Sequence, residues 1–102
     1  TLVGGQLSGA VVTVDHFGNL LTNLDATLVG QVETPVVRAG GQEILLRRTY
    51  SDVQPGEYVA LINSFGVLEV ARAEKSAAEG LGLGRSAPIV VSPRHCAAKR
   101  IG

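Results

Sequence analysis

The chain has 102 residues, of which 45% are hydrophobic and only 4% aromatic, and nine basic side chains balance nine acidic ones. This length predicts one domain, whose core must be built from Val, Leu, Ile and Ala. A formal charge of zero argues against a protein that binds nucleic acid by neutralising phosphates, and equally against a polybasic membrane anchor.

The first predicted element is a hairpin with an aromatic ring at its turn. Residues 9–15 and 19–24 carry the β-branched and alternating apolar pattern of two strands. Between them Gly18 permits a positive φ, and Asn19 is a side chain that stabilises tight turns. The turn therefore leaves the ring of Phe17 at its tip.

A second hairpin is predicted further along the chain. Residues 25–32 are ambiguous between a turn and a short helix. The apolar segments 36–38 and 43–47 flank Ala-Gly-Gly at 39–41, which is a turn signal. We therefore expect two antiparallel strands joined at the glycine pair.

The third predicted hairpin repeats a feature of the first. After Pro-Gly at 55–56, residues 57–63 are almost continuously apolar, as in a strand buried on both faces. Ser-Phe-Gly interrupts this run and residues 67–72 resume it, so Phe65 also lies at a turn. Glu69, in the middle of the second strand, is expected to face solvent. Both phenylalanines of the chain are thus expected at turns.

A short helix and a last strand complete the predicted fold. Ser76 and Glu79 match a capping box, and the glycines that follow end the helix within two turns. Residues 88–92 have the composition of a final strand. Together these elements predict an all-β fold, a small antiparallel Greek-key-like β-barrel with one short helix.

The predicted boundaries follow from these elements: a lead-in or linker at 1–8, the barrel domain at 9–92 and a tail at 93–102. Because the chain begins without a methionine and contains none, we expect a fragment or a processed product. No apolar run approaches the roughly 18 residues of a transmembrane helix, and the single cysteine, Cys96, cannot form an internal disulfide. We therefore expect a cytoplasmic protein without membrane contact.

Two interpretations of the Phe-bearing turns stay open. In the first they are only well-made turns that close the barrel ends. In the second, Phe17 and Phe65 converge on one side of the barrel and form half of a nucleoside pocket. The amide of Asn19 then matches an adenine edge, because it offers a donor beside an acceptor. Asp15 suits an ammonium group or ribose hydroxyls, and Ser64 with the loop amides suits a carboxylate.

Few other side chains suggest chemistry. Arg72 ends its predicted strand and could neutralise an acid or stack on a base. His16 is a candidate for acid/base work or a bystander in the turn. With His95 and Cys96 in the predicted tail, no metal-ligand spacing exists, and we expect no metal and no cofactor.

The same motifs carry a resemblance to a known family. Residues 9–24, GAVVTVDHFGNLLTNL, and 60–71, ALINSFGVLEVA, resemble the C-terminal domain of the S-adenosyl-L-methionine (SAM) hydroxide adenosyltransferases. These SAM hydrolases are related to the bacterial fluorinase and chlorinase. The resemblance runs from about residue 9 to residue 91 and includes three further segments: Tyr50, Gly56-Glu57 and Ser76-Ala77-Ala78.

The resemblance implies a subunit with an N-terminal α/β domain followed by this C-terminal β-barrel. Such subunits assemble as homotrimers, with SAM held between the N-terminal domain of one subunit and the C-terminal domain of a neighbour. Water or halide attacks the ribose C5′, and attack by water releases adenosine and L-methionine. The resemblance places the water-activating residues in the N-terminal domain, so this chain would supply substrate-binding residues and no catalytic ones.

The resemblance also implies roles for individual side chains. Phe17 would pack near the adenosine, and Asn19 would bond the adenine edge. Asp15 would take the methionine ammonium. Arg72 and Ala73 would finish the adenine pocket. Ser64 would bind the methionine carboxylate, and in the functional interpretation of the second turn Asn63, Ser64 and Phe65 form the second wall of the same site. His16 stands where relatives often have arginine.

A different class of function competes with this one. The chain could be a non-catalytic β-barrel used for assembly or as a nucleoside-binding module. A start codon just upstream of the first residue would favour that hypothesis, whereas a long upstream reading frame would favour the enzyme. A nucleic-acid-binding barrel is a third hypothesis, which the neutral charge disfavours.

Overall fold

A computed structural model of the chain describes residues 2–3, 5–47 and 54–93. These residues form an antiparallel β-structure with two short helices. The strands are β1 (Leu2–Val3), β2 (Gln6–Val14), β3 (Leu20–Asp25), β4 (Pro35–Ala39), β5 (Gln42–Leu45), β6 (Tyr58–Ile62), β7 (Val67–Arg72) and β8 (Pro88–Pro93). The helices are α1 (Ala26–Val29) and α2 (Ala77–Leu81).

The strands form one sheet that curls into a nearly closed barrel. Their order is β5-β4-β8-β2-β3-β7-β6, and β1 pairs with β2 beside this path. The two ends of the sheet approach each other where the amide of Arg47 donates to the carbonyl of Ala60 at 2.8 Å. Pairings such as β8 with β2 and β3 with β7 join strands distant in sequence, which makes the topology Greek-key-like. The expected antiparallel barrel is confirmed.

All three hairpins occur where the sequence predicts them. In the second, Ala39 pairs with Gln42, so Gly40 and Gly41 form a two-residue turn with φ of 55° and 81°. Both values are positive, which is the requirement of the turn type that suits a twisted hairpin. The glycine pair therefore sets the register of β4 and β5.

The start of β2 and the segment after β3 differ from the predictions. Strand β2 begins at Gln6, inside the predicted lead-in, and Leu7 is fully buried. The ambiguous segment contains α1, where the Asp25 carboxylate accepts from the amide of Leu28 at 2.9 Å. The described residues thus contain two short helices rather than the single predicted one, because a side-chain cap outweighed the weak propensity of this segment.

The interior of the barrel is aliphatic, as the composition predicts. Leu7, Leu20, Leu68 and Ile89 are fully buried, and no phenylalanine joins them among the described core residues. Burying a side chain of this size contributes about 1.5–3 kcal/mol. The core is therefore complete without the two phenylalanine rings, which leaves both rings at the surface.

Candidate functional site

The turn between β2 and β3, which we call the Phe17 corner (residues 15–19), is organised by one carboxylate. Oδ1 of Asp15 accepts from the amides of Phe17 and Asn19, each at 2.9 Å, and Oδ2 accepts from Asn19 Nδ2 at 3.1 Å. The amide of Gly18 donates to the carbonyl of Asp15 at 3.0 Å, with φ of 85°. These bonds hold the Phe17 ring outward, 73% exposed.

The turn between β6 and β7, the Phe65 corner (residues 63–67), is built in the same way. Oδ1 of Asn63 accepts from the amides of Phe65 at 2.9 Å and Val67 at 3.3 Å. The amide of Gly66, whose φ is 80°, donates to the carbonyl of Asn63 at 2.9 Å. Phe65 is 83% exposed. Asp15 and Asn63 thus have the same role, because the Oδ1 atom of each accepts from two backbone amides of its turn.

Glu69 supports the Phe65 corner from inside the sheet. Its Oε1 accepts from Asn63 Nδ2 at 3.2 Å, and the residue is only 8% exposed. The expectation that Glu69 faces solvent is therefore wrong. The hydrogen bond from Asn63 gives the buried Glu69 carboxylate a polar partner.

The two corners do not converge, which corrects the expected single pocket. The Phe17 corner lies just before β3, and the Phe65 corner lies just before β7. These two strands are antiparallel neighbours, with Leu20 opposite Val70. The starts of antiparallel neighbours lie at opposite ends of their ladder. The base of the Phe65 corner is about four residues along β7 from the base of the Phe17 corner, or roughly 13 Å at the rise of a strand.

The Phe17 corner borders an open cleft of about 480 Å³. Four of the predicted site residues are among those that line it. The lining comprises Phe17, Asn19, Arg72, Ala73, Glu74, Lys75 and Ser76. Asp15 supports this wall through the bonds described above. Asn63, Ser64 and Phe65 belong to the other end of the ladder and do not line this cleft.

Sequence reasoning missed the half of the cleft that lies between β7 and α2. Glu74 has a φ of 60° and reverses the chain after β7. Ser76 then caps α2, because its Oγ accepts from the amide of Glu79 at 3.1 Å. The capping box was the available signal, but it gave no indication of what α2 contacts.

Helix α2 is attached directly to the Phe17 corner. The amide of Ala78 donates to the carbonyl of Gly18 at 2.9 Å. A Cβ at Gly18 would overlap the hydroxyl of Ser76 and would lie 2.6 Å from its Cβ. Glycine is thus required at this position by both φ and close packing. The corner and the helix fix two walls of the cleft against each other.

The polar groups of the cleft suit a flat ligand with a polar edge. Among the described residues Asn19 Oδ1 accepts no hydrogen bond, and Nδ2 uses one of its two hydrogens on Asp15. The amide therefore retains one acceptor and one donor, beside an exposed phenyl face. Arg72 and Lys75 add cationic groups and Glu74 an anionic one. Such a set can bind a heteroaromatic base and orient it.

Asp15 carries three hydrogen bonds within the chain, so its first role is to hold the corner. Replacement of Asp15 by Ala is expected to lower the free energy of unfolding by about 1–3 kcal/mol, because two turn amides lose their acceptor. Asp15→Asn should lose less than Asp15→Ala, since a carboxamide oxygen still accepts from both turn amides, as that of Asn63 does, and only the bond from Asn19 Nδ2 is lost. Urea denaturation of both variants measures the difference, and equal losses would contradict this role.

The remaining candidates bear less on the site. The His16 ring meets Phe17 edge-on, with centroids 5.3 Å apart at 84°. Within 2–3, 5–47 and 54–93, no three His, Cys, Asp or Glu side chains group as metal ligands. No helix in these ranges is long and apolar enough to cross a membrane. Tyr50, His95 and Cys96 lie outside the described residues.

Comparison with known proteins gives a consistent result. Residues 9–90 match the profile of the SAM hydroxide adenosyltransferase C-terminal domain. The chain is 42% identical over 81 residues to an (R)-S-adenosyl-L-methionine hydrolase of Thermus thermophilus, and the match covers 79% of this chain and 30% of the relative.

Two solved structures share the fold. An uncharacterized conserved protein from Thermotoga maritima superposes with a TM-score of 0.77 at 25% identity, over 90% of this chain and 38% of that one. A conserved hypothetical protein from Thermus thermophilus gives a TM-score of 0.69 at 38% identity, over 82% of this chain and 34% of that one. The chain thus spans about a third of the length of these relatives.

Proposed function

This chain belongs to the SAM hydroxide adenosyltransferase C-terminal domain family, and we propose that it is the SAM- and adenosine-binding domain of an enzyme hydrolysing SAM to adenosine and L-methionine. The observation that carries the proposal is the cleft at the Phe17 corner. An exposed ring, a carboxamide with both functions available and a guanidinium border one space there. All three lie in the segment that matches the family.

The adenosine end of the substrate is assigned to this cleft. The adenine packs near the Phe17 ring, and its polar edge bonds the Asn19 amide, which presents a donor beside an acceptor. Arg72 and Ala73 complete the pocket at the end of β7. The phenyl ring thus contacts the flat face of the adenine, and the amide forms hydrogen bonds with its polar edge.

The methionine end is assigned to the Phe65 corner. The two corners are separated by roughly 13 Å along the strand. One SAM molecule therefore contacts both corners only in an extended conformation, with its adenosine end at one corner and its methionine end at the other. The Ser64 hydroxyl then binds the carboxylate, with Asn63 and Phe65 as the second wall, because the amides of Phe65, Gly66 and Val67 already bond Asn63. Asp15 lies at the adenosine end, and its carboxylate already bonds the corner. The ammonium group is therefore better assigned to a residue outside this chain.

The chemistry fits a binding domain without a catalytic residue of its own. The SAM sulfonium is already an activated leaving group, so an enzyme must mainly align a nucleophile with the ribose C5′ and exclude bulk water. The exposed ring and open cleft require a second surface to exclude that water. We assign this surface, and the water-activating groups, to an N-terminal domain in a cytoplasmic homotrimer that needs no cofactor.

Incubation of the intact protein with SAM tests this proposal. We expect adenosine and methionine to appear in equal amounts, detected by liquid chromatography and mass spectrometry. Parallel reactions with added chloride or fluoride distinguish a hydrolase from a halogenase, because a hydrolase still forms adenosine and no halogenated nucleoside. Adenosine binding without turnover would instead favour the nucleoside-binding module, and failure to bind either SAM or adenosine would contradict both.

A further inference from the structure

The guanidinium of Arg72 is held on three sides by groups outside the lining of the cleft. Its Nε donates to the carbonyl of Gly56 at 2.8 Å. Its Cζ lies 5.0 Å from the centroid of the Tyr58 ring, over the ring face. Tyr58 and Arg72 are direct cross-strand partners in the β6–β7 ladder, so both side chains lie on the same face of the sheet.

Helix α2 closes the third side with a glycine. A Cβ at Gly80 would lie 2.6 Å from Arg72 Nη1 and would overlap the hydroxyl of Tyr58. Only a residue without a side chain lets the helix approach the pair this closely. The ring, the Gly56 carbonyl and the Gly80 backbone therefore leave the guanidinium little freedom to move.

The groups that hold Arg72 use only one of its donors in a hydrogen bond. Of its five N–H donors only Nε–H bonds a protein group among the described residues, so four Nη–H donors are without a protein acceptor there. A guanidinium fixed by its face and by one edge presents the other donors in a set direction. A mobile arginine would lose conformational entropy when it bound the same group.

From this geometry we propose that Tyr58 is a positioning residue for substrate binding, which holds Arg72 toward acceptor atoms of the adenosine moiety in the Phe17 cleft. The inference rests on the proposed function, because it takes adenosine as the group that Arg72 meets. Tyr58 does not line the cleft, so its effect must pass through Arg72. The attraction between a cation and an aromatic face needs the ring and not the hydroxyl.

Two substitutions of Tyr58 in the intact protein separate the ring from its hydroxyl. Tyr58→Leu is expected to raise the KM for SAM and the Kd for adenosine about threefold to tenfold, with kcat within a factor of about two of the wild type. Tyr58→Phe keeps the ring and should match the wild type in all three. In an Arg72→Ala background, Tyr58→Leu should add no further loss, because the group that it positions is gone.

A measurement without substrate keeps the test independent of the enzyme's activity. In ¹⁵N relaxation of the Arg72 Nε–H group, we expect an ordered side chain in the wild type and in Tyr58→Phe and a mobile one in Tyr58→Leu. Gly80→Ala places a methyl group against Arg72 and Tyr58. This variant should weaken SAM binding although the Tyr58 side chain is unchanged. It serves as the second variant if Tyr58→Leu does not fold.

The outcomes distinguish the two levels of the proposal. Equal order of Arg72 in all variants, or a Tyr58→Leu loss that persists in Arg72→Ala, overturns the positioning role even if SAM is bound and hydrolysed. If the wild type binds neither SAM nor adenosine, the proposed function fails. The relaxation data then test separately whether Tyr58 orders the Arg72 side chain. A mobile Arg72 side chain in the wild type would reject the positioning role of Tyr58 too.

Discussion

The intact protein carrying Asn19→Ala is expected to bind SAM about 10- to 100-fold more weakly than the wild type, since an adenine edge loses a donor and an acceptor together. The hydrogen bond from Asn19 Nδ2 to Asp15 holds this amide in place before the ligand arrives. Isothermal titration with SAM and with adenosine measures the change. Both ligands should lose affinity by the same factor, because both contain the adenine.

A carboxamide outside the cleft provides the control for this substitution. Gln42 is exposed in β5 and does not line the cleft, so Gln42→Ala should bind SAM as the wild type does. Urea denaturation of both variants checks that the Phe17 corner survives without Asn19. Unchanged SAM affinity in a folded Asn19→Ala protein would show that the adenine role is wrong.

Replacement of Gly18 by Ala is expected to destabilise the chain by about 2–5 kcal/mol, the sum of a left-handed conformation and an overlap with α2. The matched control is Gly66→Ala, because the second corner has the same construction and a φ of 80°. Among the described residues nothing lies within 4 Å of a Cβ at Gly66. This variant should therefore lose only about 1–2 kcal/mol, the conformational part.

The difference between the two variants isolates the packing of α2 on the Phe17 corner. It is measured as the difference in free energy of unfolding from urea titrations of the two proteins. Gly18→Ala in the intact protein should also weaken SAM binding, because Ser76 lines the cleft and must move. Equal destabilisation at Gly18 and Gly66 would mean that the helix does not rest on the corner as described.

The parts of the fold that local sequence determines could be predicted. Alternating and β-branched runs, interrupted by glycines, gave the three hairpins and the last strand, since turn residues act on their immediate neighbours. The likeness of the two corners was also visible, because each has a phenylalanine followed by a glycine. Neither prediction depends on which strands meet in space.

The relation between the corners could not be predicted, since it depends on the pairing of β3 with β7. These strands lie far apart in the sequence, and the register between them is set by burial of the sheet face rather than by a turn. The expectation of convergence therefore failed. The contribution of α2 to the cleft was missed for the same reason, because the contact between Gly18 and Ser76 joins distant segments.

The corners also show how a structural and a functional interpretation can both hold. Asp15 and Asn63 each accept from two turn amides, so the same side chain–backbone pattern forms both turns. The Phe17 corner lies beside the cleft that Arg72 and Ser76 also line. The turn pattern thus presents a ring, and the neighbouring elements determine whether that ring faces a pocket.

A crystal structure of the intact protein with SAM tests the central claim most directly. We predict adenine against Phe17, its edge bonded to the Asn19 amide, and the methionine carboxylate near Ser64 at the other end of the β3–β7 ladder. Adenine bound elsewhere, with Phe17 and Asn19 facing only solvent, would contradict the assignment of this cleft as the adenosine site.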